Sequence, residues 1–137
     1  MRIKVLGRQF DCNENQIDEI QLVTDATIKN DNGTFIIDYT EASENSEDNI
    51  STRLRVTDKK MTMTKLSVVS STLEFEENKN YKSIYSTVYG NFKMIISTME
   101  YKCSLNNDGL GEINLKYLVN IGDGEPYTNV LNINIYE

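Results

Sequence analysis

Histidine and tryptophan are both missing from the chain. The missing histidine has the wider consequence. It removes Ser–His and Cys–His nucleophile pairs, imidazole general bases and histidine-ligated metal sites together. An enzyme built on this sequence would have to work with carboxylates, lysine, tyrosine or cysteine, and no catalytic motif or cofactor motif stands out. Cysteine is scarce too. Cys12 and Cys103 are isolated, there is no CxxC pair, and two thiols are too few for a disulfide framework. Each reads as a free, small, buried apolar residue in a reducing compartment. No apolar run is long enough to span a bilayer, and the residues from Met1 to Arg8 turn polar before a secretory signal could form. A cytoplasmic protein is the expectation.

Basic runs are absent as well. Lys and Arg number 14 against 21 Asp and Glu, a net charge of −7. An acidic surface repels phosphate backbones and anionic lipid, so neither nucleic acid nor membrane is an expected partner. A chain of 137 residues fits one domain, 1–137, that buries somewhat under ~70% of its unfolded surface without staples.

What is present is alternation. In 91–105, Phe92, Met94 and Ile96 are apolar on even numbers, and then Met99, Tyr101, Cys103 and Leu105 carry the apolar face on odd numbers. One extra residue at Ser97 or Thr98, a β-bulge, accounts for the slip. A strand of roughly 15 residues is far above the usual ~5–6 and must bend, which suits a curled sheet. Before it, strands are expected at 2–12 with a bend at Gly7, then 17–30, 34–42, 50–57, 61–67, 68–76 and 81–87. After it come 112–121 and 127–136. Asn32-Gly33 is the firmest hairpin signal, because Asn-Gly takes the positive φ of a type I′ turn. Arg53 and Arg55 alternate with apolar residues and point to solvent or acidic neighbours.

The tract 41–48, EASENSED, reads as a solvated acidic loop. Glu41, Glu44, Glu47 and Asp48 offer oxygens to Ca²⁺, but the EF-hand spacing and its glycine are missing, so no metal is expected. Some ten strands on short turns, with no helix, make an antiparallel meander. Closing it into a barrel supplies a common interior and removes exposed edges; a two-sheet sandwich is the rival.

Several stretches resemble the YwiB-like family of small bacterial proteins of unknown function. They are Ile20 to Thr27, Ile37-Asp38-Tyr39-Thr40-Glu41, Phe75 to Lys79, Tyr85-Ser86-Thr87-Val88-Tyr89-Gly90 and Leu105 to Gly109, followed by Tyr117 and Asn129-Val130-Leu131. The resemblance implies a calycin (lipocalin-like) β-barrel of about 8–10 strands and no established activity. Where that family tends to carry Arg and Gly at the end of the fifth strand, this chain has Lys65 and Ser67. Lysine keeps the charge without the two-pronged geometry.

In a barrel the polar residues on the apolar parity are the informative ones. Tyr39, Glu41, Lys65, Tyr85, Thr87, Tyr101 and Tyr117 are the candidates. Tyrosine also fills cores with its hydroxyl at a wet edge. Three functions stay open: a barrel that binds a small amphipathic or acidic ligand, with Lys65 as charge partner and Glu41 nearby; a protein-interaction module with a filled interior; and, third, an enzyme using Glu41 with Lys65 or a tyrosine. A lone buried lysine or carboxylate is costly, so Lys65 and Glu41 are expected at the barrel mouth or paired.

Overall fold

A computed structural model of the chain describes residues 1–41, 50–66 and 71–137, and of 85–87 the backbone alone. Ten strands follow the alternation: β1 Arg2–Phe10, β2 Gln16–Asp31, β3 Thr34–Glu41, β4 Ile50–Val56, β5 Lys60–Leu66, β6 Ser71–Glu76, β7 Asn80–Thr87, β8 Gly90–Leu105, β9 Gly111–Ile121 and β10 Tyr127–Tyr136. They form a single antiparallel sheet curled into a nearly closed barrel, which decides against the two-sheet sandwich. Among the described residues no helix is long and apolar enough to cross a membrane.

The strand order is β6-β5-β4-β3-β2-β1-β10-β9-β8-β7. The two terminal strands pair with each other, Ile3 opposite Ile135 and Val5 opposite Ile133. Apolar cross-strand pairs of this kind stabilise a ladder. The seam therefore falls between two consecutive strands, β6 and β7, rather than between the chain ends. Its closure depends on the bulge. Thr98 faces Tyr117 and Glu100 faces Lys116, so the extra residue is Met99. That is one position later than expected, and Met99 points outward while Thr98 and Tyr101 on either side are buried. Beyond Ser97 the free edge of β8 meets the β6–β7 turn instead of β7. Asn78 N–H donates to Thr98 O at 2.9 Å, and Thr98 N–H donates to Lys79 O at 3.1 Å.

Asn32 and Gly33 both have positive φ, as the type I′ reading requires. At Gly7 the ladder runs on without a break, Gly7 opposite Ile20 and Leu131; the irregularity in β1 falls between Gln9 and Phe10. Because β1 ends at Phe10, Cys12 lies in an exposed turn instead of a core. Its thiol donates to Glu125 Oε2 at 3.0 Å, and that carboxylate pushes the thiol pKa up. Cys103 is half-buried, and burial raises it. Both thiols are free.

One end of the barrel is packed shut. Ile37, Leu54, Met61, Phe75 and Ile113 fill it, and the 106–110 turn folds across it. Gly109 lies so close to Ile28 and Phe35 that an added Cβ would come within 2.8 Å of Ile28 Cγ2. Tyr101 sits at this closed end, its hydroxyl 2.6 Å from Thr57 O and 3.1 Å from Lys60 O. It ties the β4–β5 turn to β8. Tyr101→Phe is expected to lower the unfolding free energy by about 1–2 kcal/mol, since the two carbonyls lose their phenolic donor. Urea denaturation measures this, and an unchanged midpoint would show that the bond contributes nothing.

Candidate functional site

Among the described residues the other end is open. A cavity of about 290 Å³ lies there, with Val5, Leu22, Met63, Leu73, Tyr117 and Leu131 as its apolar floor and walls. The alternation explains the polar mouth. Each strand carries its inward parity past the packed core, and the last inward residues are Gln9 on β1, Asp18 on β2, Glu41 on β3, Lys65 on β5 and Asn129 on β10. Across β3, β4 and β5, Tyr39, Thr52 and Lys65 stand side by side in one inward row.

Lys65 Nζ lies 3.4 Å from Glu41 Oε1, and the pair is partly buried. The two side chains thus meet at the mouth and pair with each other, as the cost of a lone buried charge demands. Burial, with Glu41 nearby, pushes the Tyr39 hydroxyl up to about 12. Thr52 offsets part of that shift, although among the described residues its own buried hydroxyl finds no partner of good hydrogen-bond geometry. Burial also raises Tyr117 to about 12. Its ring packs against Phe75, centroids 4.7 Å apart at 56°. Both phenols therefore keep their protons at neutral pH and are available as hydrogen-bond donors rather than bases.

Four of the residues chosen by parity, Tyr39, Glu41, Lys65 and Tyr117, line this cavity. Tyr101 does not; it belongs to the closed end. The Tyr85 and Thr87 side chains lie outside the described residues. Gln9, Asp18 and Asn129 escaped the sequence reading. The available signal was their shared parity with Val5, Leu22 and Leu131 at the strand ends. Glu44, Glu47 and Asp48 of the calcium reading also lie outside the described residues. Among those described, no three His, Cys, Asp or Glu side chains gather as a metal site.

A larger, shallower basin of about 710 Å³ lies against β2–β5 and includes outward residues of those strands. Its Arg53 is already held by Asp38 in a two-pronged pair at 2.7 and 2.9 Å, and this contact keeps the Asp38 carboxyl below its ordinary range. The alternating arginine thus serves a cross-strand carboxylate, as its spacing suggested.

Fold and cavity together define the class: a ten-stranded, nearly closed antiparallel barrel, packed at one end and, among the described residues, open at the other. The chain belongs to the family described as a domain of unknown function, DUF1934, whose model matches residues 3–133. It is also similar in fold to the crystal structure of the ywiB protein from Bacillus subtilis. The TM-score is 0.72 at 13% identity, covering 99% of this chain and 91% of that one. No curated protein matches the chain.

Proposed function

We propose that the protein binds a small amphipathic molecule in the open end of the barrel, the apolar part in the cavity and the polar head at the mouth. One observation carries this reading. Residues singled out by parity alone, Tyr39, Glu41, Lys65 and Tyr117, converge on a cavity whose floor is apolar and whose rim is polar. That is the usual composition of a small-molecule site, and the volume falls just below the ~300–1,000 Å³ range of such sites.

Gly7 provides a clean test. It lines the cavity, and a Cβ built there meets only Leu131 Cδ1, at an ordinary 3.7 Å. Gly7→Val should take up part of the cavity without backbone strain. It should also raise stability by roughly 0.5–1 kcal/mol, because glycine weakens a strand interior. A thermal-shift screen of short-chain alcohols, acids and amines is expected to yield stabilising compounds for the wild type and smaller shifts with the same compounds for Gly7→Val. If no compound stabilises the wild type, the reading is wrong.

A second reading has its own support. The β7–β8 hairpin exposes Ile84 at 65% and Val88 at 94%, with Tyr89 and Phe92 also exposed. An apolar tip of this kind suits docking to another protein.

A further inference from the structure

Given the binding reading above, the charges at the mouth select the ligand's head group. Among the described residues the cavity lining carries two carboxylates, Glu41 and the exposed Asp18, and two cations, Lys65 and Arg8. Lys65 is already paired with Glu41. Arg8, the other cation at this rim, is held by Glu19 at 3.0 Å. Asp18 accepts a hydrogen bond from the Glu19 backbone N–H at 2.8 Å, and among the described residues it has no cationic partner. An arriving carboxylate would have to take Lys65 from Glu41 and leave Glu41 uncompensated beside it. An arriving ammonium meets Asp18 and disturbs no existing pair. The net charge of −7 draws in cations as well.

We infer that the cavity takes an amine: a small molecule with an apolar body for the Leu22, Met63, Leu73 and Leu131 floor and an ammonium head for Asp18. This is an alternative to the acidic ligand that Lys65 suggests when it is considered without its partner.

The experiment compares three probes of one chain length, hexylamine, hexanol and hexanoate, by calorimetric titration at low and high salt. The amine is expected to bind about fivefold tighter than the alcohol, the scale of one exposed ion pair, and the carboxylate weaker than either. Asp18→Asn should bring the amine down to the alcohol without moving the alcohol. Lys65→Met should strengthen amine binding, because it frees Glu41, where an acid-binding site would lose affinity. High salt should narrow the gap between amine and alcohol. Hexanoate binding as well as or better than hexylamine, or an amine preference untouched by Asp18→Asn, overturns the inference while the binding reading stands. If hexanol also fails to bind, both fall.

Discussion

Gly111→Ala is expected to abolish folding or to cost roughly 4 kcal/mol or more, in the range reserved for backbone collision. Gly111 opens β9 opposite Leu105 and has a φ of +142°. A Cβ there would lie 2.0 Å from Ser104 O and 3.0 Å from Ser104 C, both backbone atoms of the partner strand. No rotamer relieves such a contact. Relief requires the β8–β9 hairpin to part, and that hairpin is one of the longest ladders in the sheet, from Met94–Ile121 to Leu105–Gly111. Gly33 is the control. Its φ is +92°, yet an added Cβ meets nothing within 4 Å. Gly33→Ala should therefore cost only the left-handed backbone, about 1 kcal/mol. Urea denaturation and soluble yield compare the two, and equal losses would show that the close approach of Gly111 to Ser104 is not what matters.

Alkaline pH is expected to destabilise the fold steeply. Tyr39 and Tyr117 are held up to about 12 in the barrel, mainly by burial, against about 10 for a tyrosine in an unfolded chain. Below about pH 10 both states keep the proton and nothing is lost. Above it the unfolded chain releases protons that the folded chain retains, so stability falls as pH rises through about 12. The combined loss is on the order of several kcal/mol. Unfolding free energies at about pH 9 and about pH 11.5 measure the drop, and absorbance near 295 nm follows the phenolates. The double variant Tyr39→Phe, Tyr117→Phe should flatten part of the decline, because burial holds the Tyr101 hydroxyl up as well. If the decline is as steep in that variant, Tyr39 and Tyr117 are not its cause.

Alternation is a local property, and it specified most of this architecture. A strand exposes alternate residues to opposite faces whatever its neighbours, so the strands, the Asn32-Gly33 turn and a bulge near Thr98 were legible from spacing alone. So was the inward direction of Tyr39, Glu41, Lys65 and Tyr117. The phase slip could not say which of several residues bulges out. Met99 does, and Asn78 and Lys79 hydrogen-bond to Thr98 next to it, a choice made across the seam.

Height along the barrel was equally hidden. Tyr101 and Tyr117 share the inward parity, yet one hydroxyl is tied to Thr57 and Lys60 at the closed end while the other residue lines the open cavity. Parity names a face; only the register of non-adjacent strands sets how far up that face a residue stands. The pairing of β1 with β10 is the largest such decision. It joins the two ends of the chain, moves the seam to β6 and β7, and brings Gln9, Asp18 and Asn129 to the mouth beside Glu41 and Lys65. A contact between residues more than a hundred positions apart leaves no periodic trace in the sequence, because the chain between them is free to curl in more than one way until its apolar faces meet.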